Sequence, residues 1–208
     1  MDAKVTRKNR RSYSRVGAFE LSQPKMLVSD PCYDKGDYGA TEVNGCKTGE
    51  WLSSLNVNRY EWDIDGTIQK DERVAAIFVR HESIKSDSVF NGIVFKNGII
   101  QYTAEWNLLS ENIGVDSGQA GIFDASKYGD NDLFDAEGRC GFGDKWYSNC
   151  CDLTLEGHGG IVANMGVCAA SGFGDGAYIL WGHKAKDGRY DAMVLFFLED
   201  DDGISSVF

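Results

Sequence analysis

Proline is nearly missing from this chain: two residues, Pro24 and Pro31, among 208. No Pro/Ser-rich linker interrupts the sequence, so its length reads as one large domain rather than two small ones. No stretch approaches the ~18 consecutive apolar residues of a membrane helix, and no membrane partner is expected. The N-terminus lacks the apolar core of a secretory signal, so the expected location is cytoplasm or virion. The six cysteines are then expected as thiols rather than disulfides. Internal repeats are absent. So are a phosphate loop ending in Gly-Lys-Ser/Thr, a Gly-x-Ser-x-Gly elbow and a His-Glu-x-x-His pair, which removes the usual nucleotide, esterase and zinc-protease signatures.

What the chain has in quantity is glycine, 25 residues, and aromatic side chains, 12%. Many strands joined by glycine turns around an aromatic core fit that balance. The net charge of −11 is unevenly spread. Residues 1–15 carry Lys4, Arg7, Lys8, Arg10, Arg11 and Arg15 against the single acid Asp2, a balance of +5 that leaves −16 for the remainder. Residues 1–17 therefore read as a basic arm and 18–208 as an acidic body. An acidic body repels phosphates, so nucleic acid is a partner only through the arm. The arm equally suits an acidic surface of another protein subunit.

Along the body, Ala18–Leu21 and Lys25–Val28 read as strands, the second ending where Pro31 forces Asp30 into an extended conformation. Glu50–Leu52 and Arg59–Ile64 alternate as two half-exposed strands. Arg73–His81 is a continuous apolar run, the pattern of a central strand buried on both faces. Asn97-Gly98, between Ile93–Phe95 and Ile99–Tyr102, is a hairpin turn pair. Trp106, Leu108 and Leu109 lead into a polar loop. Trp146, Tyr147, Cys150 and Leu153 fall on one face of a helix over Asp144–Leu153, with Asp144 as its cap. A meander follows, turning at Asp187-Gly188. The fold expected is mainly β, an antiparallel sandwich or distorted barrel with one prominent helix.

Two glycine-spaced stretches hold the polar focus: Gly114–Asp124 and Ser171–Tyr178. Asp30, His81, Asp116, Gln119, Asp124 and Asp175 are the candidate site residues. Asp116 and Asp124 offer oxygen ligands to a divalent cation, yet their spacing is not that of a calcium helix–loop–helix. The plainer reading has them accepting backbone N–H bonds in tight turns. His81, at a strand exit, is a metal ligand or base in one reading and a capping imidazole in the other. Cys140, Cys150 and Cys151 lack the paired spacing of a zinc knuckle, so no metal or other cofactor is assigned.

Ser29-Asp30-Pro31-Cys32-Tyr33, Val115–Asp124 and Ser171–Tyr178, with the Trp146-Tyr147 helix in order between the last two, resemble a family of uncharacterised domains found in bacteria and their phages. That family's last motif runs Gly-Asp-Gly-x-Tyr-Pro. Ile179 stands here in the proline's place, which implies a straighter strand. The resemblance extends from Met26 to Phe197 and implies no activity.

The function expected is a non-enzymatic binding or structural protein, such as a component of a phage particle or another large assembly. One alternative is a metal-dependent hydrolase built on the scattered carboxylates and His81. The other is an immunity or anti-defence module whose acidic face meets a basic partner.

Overall fold

The computed structural model describes residues 10–64, 66–141 and 143–199. The strands are β1 (Arg10–Leu21), β2 (Lys25–Ser29), β3 (Thr41–Asn44), β4 (Gly49–Ile64), β5 (Thr67–His81), β6 (Ile93–Lys96), β7 (Ile99–Tyr102), β8 (Trp106–Val115), β9 (Gln119–Asp124), β10 (Gly159–Val162), β11 (Gly166–Ala170), β12 (Gly176–Lys184) and β13 (Tyr190–Phe196). One α-helix, α1, spans Lys145–Glu156. Six strands form one antiparallel sheet in the order β1-β4-β5-β13-β12-β8, and five form a second in the order β10-β11-β9-β2-β3. Both sheets keep open edges, so the architecture is a sandwich and the barrel alternative falls away.

The sandwich is covered on both sides. Between the sheets lie Trp51, Leu55, Ile77, Ile122, Val167 and Leu195, among others. Behind the smaller sheet, α1 packs Trp146 and Cys150 onto Phe123 and Cys168. That cover explains why every residue of β9 is buried. Over the outer face of the larger sheet lie a 3₁₀ turn, Asp87–Gly92, and the β6–β7 hairpin, which bury Phe90 and Ile93 against Phe78 and Phe196. β5 is thus buried on both faces from Val74 to His81, as its unbroken apolar run demands.

Local chemistry sets the elements. Asp144 caps α1, its carboxylate accepting from the Tyr147 N–H at 2.9 Å. Asn97 and Gly98 both take positive φ (52° and 72°), as a type I′ hairpin turn requires. Three elements differ from the sequence expectation. β4 is one strand of 16 residues, not two, because Ser53, Ser54, Asn56 and Asn58 are buried polar residues inside it and mask the alternation. The polar segment Ser110–Asn112 is not a loop. It belongs to β8, an edge strand whose outer side meets water. Arg10–Gly17 of the expected arm pair with β4, from Arg10↔Arg59 to Gly17↔Ser53, so sheet structure begins inside the arm.

Past this sheet, β4 and β5 continue together. Six pairs, from Arg59↔Glu72 to Ile64↔Thr67, form a two-stranded ribbon. Among the described residues, β1 pairs with β4 no further than Arg59, at the ribbon's base, and β13 joins β5 only from Ala76 onward.

Candidate functional site

The two glycine-spaced stretches meet in space. Gly176 pairs with Val115, and the Ser171 N–H donates to the Gly118 carbonyl at 3.0 Å. The loop after β2 joins them. Asp30 is fully buried, and its carboxylate is surrounded by donors. Oδ1 accepts from the Cys32 N–H (2.8 Å) and the Ser117 hydroxyl (2.6 Å). Oδ2 accepts from the N–H groups of Asp116 (2.9 Å) and Ser117 (2.7 Å). The extended backbone before Pro31 aims this carboxylate at the β8–β9 turn. The loop itself is held by the Tyr128 hydroxyl, donating to the carbonyls of Asp30 (2.8 Å) and Tyr33 (3.0 Å), and by Trp146 Nε1, donating to the Pro31 carbonyl at 3.1 Å.

Asp116 is exposed, and its Oδ2 accepts from the Tyr33 hydroxyl at 2.8 Å. Desolvation first, and the Asp116 carboxylate second, push the Tyr33 hydroxyl above its ordinary pKa. Gln119 is buried beneath α1. Its Nε2 donates to Cys151 Sγ (3.2 Å), and its Oε1 accepts from the Thr154 hydroxyl (3.0 Å) and from Cys168 Sγ (3.6 Å). The side chain therefore latches the helix to the sheet. Burial raises the Cys168 thiol well above its usual range, and neighbouring Cys150 raises it further.

The remaining candidates lie elsewhere. Asp124 is at the far end of β9 from Asp116, about 17 Å of strand away. Both its oxygens are taken by the N–H and hydroxyl groups of Ser22 (2.8 and 2.6 Å) and Ser126 (2.9 and 2.7 Å). A cation shared by Asp116 and Asp124 is therefore not what this geometry offers. Asp175 is exposed in its turn, which other side chains brace. The Ser171 hydroxyl donates to the Gly174 carbonyl at 2.8 Å, and the Tyr178 hydroxyl to the same carbonyl at 2.6 Å.

His81 lies at the opposite end of the larger sheet. Its neighbour Arg80 pairs with Ala192, and Ala192 with His183. Asp116 follows Val115, which pairs with Gly176, so seven residues of β12, about 23 Å, separate the two places. His81 Nε2 faces the Thr48 carbonyl at 3.0 Å, which can only accept. The neutral ring therefore carries its proton there. Nδ1 accepts from the Ser83 N–H (3.1 Å) and hydroxyl (2.8 Å), the capping arrangement.

Beside it runs a polar chain that sequence reasoning missed. Lys47 Nζ lies 3.3 Å from both Ser83 Oγ and Asp191 Oδ2, and Asp191 Oδ1 lies 2.7 Å from His183 Nδ1. These residues come from one loop, one turn and two strands. No spacing in the sequence announces them.

Two clefts flank Tyr33. One, of about 630 Å³, is lined by Cys32, Tyr33, Lys35, Tyr128, Asp144 and Tyr147 among others. The other, of about 340 Å³, is lined by Tyr38, Asn112 and Asp116 among others. Cys32 is exposed, but desolvation first and then the Asp30 carboxylate push its thiol up to about 12, so it is protonated at neutral pH. Among the described residues, no group of three His, Cys, Asp or Glu side chains is arranged to hold a metal ion. The described helices include none long and apolar enough to cross a membrane. No protein-family model, curated protein or solved structure matches the chain.

Proposed function

We propose that this mainly-β sandwich is a non-enzymatic binding or structural protein, a subunit that assembles with further copies of itself, as in a phage particle. The β4–β5 ribbon carries this reading. Its six residue pairs extend past the sheet with no third strand among the described residues, and Ile68 on it is 64% exposed. A two-stranded ribbon is marginal in water by itself, and an exposed apolar side chain on one is covered when another chain packs against it. The ribbon's base is anchored. Arg73 lies over the Phe173 ring at 5.6 Å, and His158 Nε2 meets Glu72 at 2.7 Å.

The charge distribution fits the same reading: a basic N-terminal segment on one copy meets the acidic body of the next. Of that segment, Lys4, Arg7 and Lys8 lie outside the described residues, whereas Arg15 is exposed on β1. Kinship with uncharacterised bacterial and phage domains belongs to this reading, as does a cytoplasmic or virion location.

The test is light scattering coupled to size exclusion, on the full chain and on a variant whose residues 61–70 are replaced by Asn-Gly. The full chain is expected to self-associate, more at low salt than at high, and the shortened chain to fold and remain monomeric. A full chain that stays monomeric at high concentration and low salt overturns the reading.

A further inference from the structure

Three of the four buried side-chain polar atoms without a hydrogen-bond partner, among the described residues, lie on one interface. They are Asn56 Oδ1, Trp106 Nε1 and Trp181 Nε1, all on the outer face of the larger sheet, under or beside the β6–β7 cover. The fourth, Ser53 Oγ, belongs to the inner face with Trp51 and Leu55. Unmet polar groups are costly and therefore rare, so their concentration on one interface marks it out.

The cover stops short of β4 and β1. At its rim is a recess of about 440 Å³, whose lining includes Tyr13, Asn56, Phe78, Asp87, Phe90 and Phe196. Aromatic rings make the walls: Phe78 has its centroid 5.4 Å from Tyr13, 4.8 Å from Phe90 and 6.3 Å from Phe196. Asn56, only 4% exposed, pairs with Tyr13 on one side and with Ala76 on the other.

We infer that this recess is a binding site for a small planar aromatic molecule carrying an N–H or O–H donor. Ring walls select a flat apolar body, and the volume lies toward the small end of ligand pockets. The Trp106 and Trp181 N–H groups lie under the cover and outside the recess, whereas the partnerless atom on its lining, Asn56 Oδ1, and the Asp87 carboxylate are both acceptors and call for a donor. Asn56 Oδ1 accepts, and the broad χ2 torsion lets the oxygen turn toward the recess when a donor enters. Asp87 accepts as well, while its pairing with Arg80 Nε leaves little net charge to attract an ion. The site is separate from the Asp30 loop and from the ribbon, and it does not depend on self-assembly.

The experiment is an amide NMR titration of the full chain with indole, and in parallel with naphthalene, which has a similar bicyclic shape but no donor. Indole is expected to shift the Asn56 side-chain amide and the backbone of Tyr13 and Phe78, and to bind about tenfold more tightly than naphthalene. In Asn56→Leu the two ligands should bind alike. No shift at the solubility limit of indole overturns the inference, as do shifts that map elsewhere or naphthalene binding as tightly as indole. The wild-type comparison decides the matter even where Asn56→Leu does not fold.

Discussion

The Ser117 hydroxyl donates to Asp30 Oδ1 over 2.6 Å, across 87 positions of sequence. This bond and three others on the same carboxylate make Asp30, not Asp116, the brace of the β8–β9 turn. Asp30→Ala leaves four buried or half-buried donors unmet and is expected to cost about 3 kcal/mol. For a chain of this size that lowers the melting temperature by about 6–12 °C. Asp116→Ala loses one exposed acceptor and should cost about 1 kcal/mol or less. Thermal melts of the two variants side by side check the ranking, and equal losses would refute it.

The Asp124 carboxyl is subject to desolvation, which pushes it up. The hydrogen bonds from Ser126 and Ser22 prevail and hold it below the ordinary carboxylate range. A folded pKa below the unfolded value of about 3.9 means that its stabilisation is complete above that value. It is lost as pH falls through the folded pKa. Asp124→Asn should therefore be less stable than wild type at pH 7, with the gap closing below about pH 4. Denaturant titrations at pH 7, 5 and 3 read the effect. A gap that stays constant to pH 3 would show that Asp124 acts through shape alone.

Much of this fold is legible where one local signal is enough. The apolar run of β5, the Asn97-Gly98 turn and the Asp144 cap each carry their reason within a few residues. The length of β4 is not legible, because buried Ser53, Ser54, Asn56 and Asn58 look like a loop until the strands on either side are known. The site shows the same division. Asp124 was visible as a turn acceptor and Asp30 only as a carboxylate at a strand end, and each has a remote donor: Ser117 for Asp30, and Ser22 for Asp124. The Ser83–Lys47–Asp191–His183 chain crosses four segments and leaves no periodic trace.

Cys32 gives a chemical prediction. Its exposure suggests a reactive thiol, yet desolvation and the Asp30 carboxylate oppose the thiolate and push the pKa up to about 12. At pH 8 the thiolate fraction is then smaller than that of a free thiol by at least about 100-fold. Alkylation by iodoacetamide, followed at the Cys32 peptide by mass spectrometry, should be slower than that of glutathione by a similar factor. A rate equal to glutathione's would contradict the electrostatic account.

The glycines of the focal stretch separate two kinds of requirement. Gly118 takes a φ of +70°, and an added Cβ there would meet only Gly174 Cα, at 3.9 Å. Its need is conformational. Gly118→Ala should cost about 1–2 kcal/mol, and Gly118→Asn less, because Asn tolerates the left-handed region. Gly121 sits in β9 without a positive φ, but a Cβ there would collide with the Val167 carbonyl oxygen and the Phe123 ring. Its need is steric, and the obstacle includes backbone. Phe123 can turn, but Val167 pairs directly with Ile122 and cannot retreat without opening β9 from β11. Gly121→Ala should therefore cost about 3 kcal/mol, and Gly121→Asn no less than Ala. Urea denaturation of the four variants tests the contrast: Asn should rescue position 118 relative to Ala and fail to rescue position 121. Rescue at both positions would mean that the β9–β11 pairing yields more readily than its register implies.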